Sequence, residues 1–170
     1  MKTCCFIGHR NTKETPELKE ELIKTVLNLI EEHGVREFLF GSKSSFNTLC
    51  FETVTEIKEQ YPDIKLGYIR SMYEHIDESY EKYLLEFYDF TYMPSGIERA
   101  GKAAYLERNQ KMIDKSDFCV FYYDKDYVPK PKKTKALFAR VTNSGTKIAY
   151  EYAEKKCKRV INLYKETDLS

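Results

Sequence analysis

The chain has 170 residues, 42% hydrophobic and 32% charged, with a formal net charge of +1. That composition fits one globular domain spanning 1–170, large enough for a core without disulfide or metal staples. Near-neutral charge gives no support to nucleic acid as a partner, strand-sized apolar runs exclude a transmembrane helix, and the N-terminus lacks a signal-type hydrophobic region, so no membrane association and a cytoplasmic location are expected.

Strand-like and helix-like segments alternate along the chain. Residues 3–7 form a short apolar run before Gly8, a first strand. Residues 16–33 carry Leu18, Leu22, Val26, Leu29 and Ile30 at helical spacing. Thr15-Pro16 opens this helix with a capping hydroxyl and a first-turn proline, and Gly34 suits its C-cap. Residues 37–40 are a second strand ending in Gly41, and 46–60 a second helix closed by Tyr61-Pro62. Residues 64–69 are a third strand. The tyrosine- and phenylalanine-rich stretch 79–93 has ambiguous periodicity and suits a short helix followed by an extended segment. Residues 101–115 read as a helix, 117–123 as a strand, 145–157 as a helix and 159–164 as the last strand. This order predicts an α/β fold, a Rossmann-like three-layer sandwich on a mostly parallel sheet of about five strands.

Five cysteines occur, with no C-x-x-C spacing, and Cys4, Cys5 and Cys119 fall in strand-like runs. They read as small buried hydrophobes in a reducing compartment. His9, His33 and His75 are scattered, so neither a metal site nor a bound cofactor is expected.

Ligands of open parallel sheets bind at the carboxyl ends of the strands. Four short segments fall at such ends or on adjoining helices: Gly8-His9-Arg10, Gly41-Ser42, Arg108-Asn109-x-x-Met112, and Asn143-Ser144-Gly145-Thr146. Arg10 can make a bidentate contact with phosphate, and His9 can bond an oxygen or carry a proton. Gly41-Ser42 precedes a helix start with free N–H groups, and Ser144, Gly145 and Thr146 offer the same at the last helix. Asp124 ends a strand and can accept from a ribose hydroxyl. Arg108 and Met112 share one helix face, with Met112 toward the core. No phosphate loop of the G-x-x-x-x-G-K-[ST] type and no G-x-G-x-x-G occurs. A lysine- and proline-rich connection, 125–143, could close over an anion.

The order of G-H-R, Gly-Ser, R-N-x-x-M and S-G-T resembles the SLOG superfamily, which joins the DNA-processing Smf proteins and the Lonely-guy enzymes. It is most similar to a small bacterial and phage branch that opens with a G-H-R segment. The resemblance spans nearly the whole chain. It implies a nucleotide or nucleotide-derived ligand at the carboxyl edge, bound by a sensor or sequestering protein. In the Lonely-guy enzymes an R-K-x-x-M arginine and a glutamate after P-G-G-x-G-T act on an N-glycosidic bond. Arg108 and Met112 match the first motif, with Asn109 in place of lysine, and Gly145-Thr146 match the end of the second. Asn143-Ser144 replace glycines, Lys147-Ile148-Ala149 replace the glutamates, and Glu151 stands one turn later.

The resemblance therefore implies a binding set of Gly8, His9, Arg10, Gly41, Ser42, Asn109, Asp124, Ser144, Gly145 and Thr146. Arg108 and Glu151 are the residues that would serve catalysis. The alternatives are a nucleoside 5′-monophosphate phosphoribohydrolase, a single-stranded DNA-binding protein using the basic segment, and a partner-regulating module without ligand. Related proteins often form homodimers, which the tyrosines would permit.

Overall fold

The computed structural model describes residues 1–71, 78–97, 103–128 and 144–166. Alternation along the strands decides its layers. In β1 (Lys2–Gly8), Cys4 and Phe6 enter one core while Cys5 and Ile7 enter the other. The same division holds in β2 (Val35–Phe40), where Phe38 and Phe40 oppose Leu39, and in β5 (Phe118–Tyr122), where Phe118 and Val120 oppose Cys119 and Phe121. Strands buried on both faces are continuously apolar, which is why each reads as an unbroken hydrophobic run.

With β3 (Lys65–Ile69), β4 (Phe90–Tyr92) and β6 (Arg159–Asn162), these make one six-stranded sheet in the order β4-β3-β2-β1-β5-β6. Every pairing is parallel. The ambiguous tyrosine-rich stretch resolves into helix α3 (Glu78–Leu85) and then β4. The ring of Phe90 fills the space over Gly67, whose absent side chain lets the short edge strand dock.

Helix α1 (Pro16–Glu31) begins where Thr15 Oγ1 accepts the Leu18 N–H at 3.2 Å, and its apolar face buries the five residues at helical spacing. Gly34 then takes φ +68°, a left-handed conformation that glycine adopts without penalty. α1, α2 (Ser45–Lys58) and α3 cover one face of the sheet; α4 (Ala104–Lys115) and α5 (Gly145–Lys155) cover the other. That division follows from right-handed crossovers, because successive connections run outward from β1 in one direction and then, after β4, in the other. The reversal falls between β1 and β5, which places the topological switch point there.

No described helix is long and apolar enough to cross a membrane. All five cysteines are free thiols; four are buried and Cys157 is exposed. Cys5 and Cys119 are register partners on adjacent strands.

Candidate functional site

At the switch point, β1 ends at Gly8 opposite Tyr122 of β5, and His9 follows immediately. The His9 N–H donates to the Tyr122 carbonyl at 3.4 Å, continuing the ladder by one residue. The imidazole then crosses to the other strand end, where Nε2 accepts the Asp124 N–H at 3.0 Å. An accepting Nε2 places the proton of a neutral ring on Nδ1. Burial lowers the His9 pKa, against smaller upward pulls from the Asp124 backbone bond and carboxylate, so the neutral form is favoured. Nδ1 is itself buried, with no hydrogen-bond partner among the described residues. Tyr127 stacks on the ring at 4.0 Å, held there by a turn in which the Asp124 carbonyl accepts its N–H and Asp124 Oδ1 accepts that of Asp126.

The loops after β1 and β2 are tied together. Ser45, the first residue of α2, donates its N–H to the Arg10 carbonyl at 3.0 Å, and its Oγ accepts the Thr12 N–H at 2.6 Å. The Arg10 side chain stays exposed at the edge. Asn47, buried in the first turn of α2, accepts the N–H groups of Gly41 and Ser42 through Oδ1 and donates through Nδ2 to the Phe6 carbonyl. Ser44 caps α2 by accepting the Asn47 N–H, and its Oγ accepts from the Ser42 hydroxyl at 3.0 Å. The Gly41 and Ser42 amides are therefore already bonded within the protein.

The glycines divide into two kinds. A Cβ at Gly8 would collide with the Phe46 ring, and one at Gly41 would lie 2.6 Å from Met112 Sδ and 2.8 Å from Arg108 Nε. Both are empty because neighbouring side chains occupy the space. A Cβ at Gly145 would meet only Leu106 Cδ2, at 3.5 Å, and the residue is exposed. Ser144 caps α5 by accepting the Lys147 N–H at 3.1 Å, and the Ile148 N–H returns to the Ser144 carbonyl. That leaves the amides of Gly145 and Thr146 at the positive end of the helix without a hydrogen-bond acceptor among the described residues.

A family model described as the YspA SLOG family matches residues 5–156. The chain belongs to that family. A UPF0398 protein of Staphylococcus epidermidis is 29% identical over 152 residues, covering 81% of this chain and 80% of the relative. One of Staphylococcus haemolyticus is 25% identical over 158 residues, covering 84% of each, and one of Bacillus pumilus 28% over 122, covering 68% of this chain and 64% of the relative.

Within this SLOG fold, Arg108 does not border the solvent. It is 3% exposed, lies with Met112 beneath Gly41, and its Nε is 3.3 Å from Asn109 Oδ1. Glu151 is on the solvent side of α5, 3.8 Å from Lys147. The motif arginine is thus buried, while the substitute carboxylate is at the surface. Asn143, His75 and most of the basic connection, including Lys130, Lys132, Lys133, Lys135 and Arg140, lie outside the described residues. Lys125 pairs with Glu166 at 2.7 Å. No cluster of metal-ligating side chains occurs among the described residues.

Sequence reasoning missed Asn47 and Tyr127. For Asn47 a signal existed: it shares a helix face with Cys50 and Val54, and a polar side chain on an apolar face must find partners. Tyr127 gave none, since its role depends on the turn set by Asp124.

Proposed function

We propose that the switch-point crevice binds a nucleotide or nucleotide-derived small molecule and leaves it intact, as a sensor or sequestering protein does. The observation that carries this reading is His9: a neutral imidazole at the strand reversal, with a buried Nδ1–H and no acceptor among the described residues. A buried donor without a partner costs roughly 1–3 kcal/mol, and a ribose or phosphate oxygen would supply the missing acceptor. The amides at the start of α5, which have no acceptor among the described residues, and the exposed guanidinium of Arg10 are suited to the phosphate.

Hydrolysis of the N-glycosidic bond would need a carboxylate beside the sugar to activate water or stabilise an oxocarbenium-like centre. Glu151 is paired with Lys147 at the surface, and Arg108 is enclosed beneath Gly41, so the supports for binding are stronger than those for cleavage. Incubation with AMP, ADP-ribose and NAD, followed by equilibrium binding and chromatography, tests the reading. Saturable binding with intact ligand is expected. Release of free base or ribose phosphate would replace the sensor reading with the phosphoribohydrolase one.

A further inference from the structure

A cavity of about 400 Å³ opens between α2 and α3, from the Ser42-Lys43 turn after β2 to Tyr68 of β3. It is a cleft open to solvent and falls within the size range of small-molecule sites. Its inner wall is a mesh of rings anchored in the core: Phe51 lies 4.8 Å from Tyr88, and Tyr88 lies 5.3 Å from Tyr68. Its outer wall is Tyr83 and Phe87 of the α3 region, in edge contact at 5.3 Å and 50% and 53% exposed. The two outer rings are half-exposed while the inner ones pack on the core, so a planar group entering the gap would cover apolar surface on Tyr83 and Phe87.

The polar groups sit at separate places in the lining. Lys43 contributes from the loop before α2, its ammonium held 5.5 Å over the Tyr80 ring. The α3 carboxylate Glu81 is engaged by Arg70 instead, and Lys43 has no ion pair among the described residues. Glu52 contributes from two turns into α2; seven helical steps separate it from Ser45, roughly 10 Å along the axis. A cation, a carboxylate and aromatic walls in one lining define a ligand by charge and shape.

We propose that this pocket is a binding site for a planar aromatic molecule carrying an anionic group, the ring between the aromatic walls and the anion on Lys43. A ring edge bearing N–H donors would meet Glu52. The site shares Ser42 and Asn47 with the turn after β2, but its aromatic walls come from α2, β3, α3 and the segment entering β4, away from His9 and the start of α5.

1-Naphthyl phosphate, followed by its own fluorescence, tests the proposal, with 1-naphthol and inorganic phosphate as single-feature probes. One saturable site is expected, at least tenfold tighter for the phosphate ester than for either single-feature probe. Lys43→Ala should bring the ester to the naphthol level and leave naphthol unchanged. Tyr83→Ala/Phe87→Ala, at exposed positions that the fold tolerates, should weaken both aromatic probes tenfold or more. Gly145→Asp at the switch point should change none of them. No saturable binding of the ester, or binding that both pocket variants leave unchanged, would overturn the proposal.

Discussion

Asn47 shows how one side chain can hold a site it does not face. It joins the end of β1, the Gly41-Ser42 turn and α2 through three hydrogen bonds. Asn47→Ala leaves the buried Phe6 carbonyl and the Gly41 amide without partners, at about 1–3 kcal/mol for each group fully cut off from water. Urea unfolding of this variant should show a loss of roughly 2–4 kcal/mol. A change within 0.5 kcal/mol would mean that water replaces the amide. The glycines give a sharper contrast. Gly8→Ala forces the Phe46 ring aside and should cost about 1–3 kcal/mol, as overpacking does. Gly145→Ala meets only an ordinary contact with Leu106 and starts a helix, so it should be neutral or stabilising by up to about 1 kcal/mol. Only at the second glycine is the space for a side chain open. His9 sets a pH dependence. Its folded-state pKa is lowered, so the unfolded chain binds the proton more readily, and stability rises with pH through that window. The contribution is complete above the ordinary histidine value of about 6.5 and is lost as pH falls below it. Protonation also removes the acceptor for the Asp124 N–H. Thermal melts at pH 7.5 and 5.5 should show a larger drop for the parent than for His9→Gln; equal drops would separate His9 from the effect.

At the scale of elements, helix caps were legible because their chemistry is local. Thr15 before Pro16 and Ser144 before Gly145 cap as the residue types predict. Thr15→Ala and Ser144→Ala should each cost about 1 kcal/mol, but only Ser144→Ala should weaken a ligand at the start of α5. If both variants bind equally well, the α5 terminus is not part of the site. The strands were legible where both faces are buried, since burial leaves an apolar run whatever the tertiary context. β4 was legible only as an extended segment after a short helix, because its three residues are half-buried at the sheet edge and its docking depends on Gly67, a residue on another strand. For Arg108 the spacing to Met112 gave the shared face, and the packing under Gly41 adds that its side chain is buried there.

At the scale of the molecule, the strand order matters more than any motif. His9 and Asp124 are far apart in sequence and meet because the order in which strands are added to the parallel sheet reverses between β1 and β5. The sequence order of short motifs was enough to indicate the SLOG family, and the family match covers most of the chain. It was not enough to separate residues that pack from residues that bind, since a glycine filled by Phe46 and a glycine open to solvent look alike in a string. The most direct measurement of the switch-point claim is thermal stability against AMP, ADP-ribose and NAD, in the parent, in Arg10→Ala and in Gly145→Asp. Asp at the first turn of a helix does not harm folding, so lost binding there reports on the ligand. At 100 times its dissociation constant, a bound ligand should add about 2.7 kcal/mol in the parent, and both variants should lose most of that gain. A ligand-induced shift of equal size in all three proteins, or none in any, would contradict the assignment of the switch-point crevice as the nucleotide site.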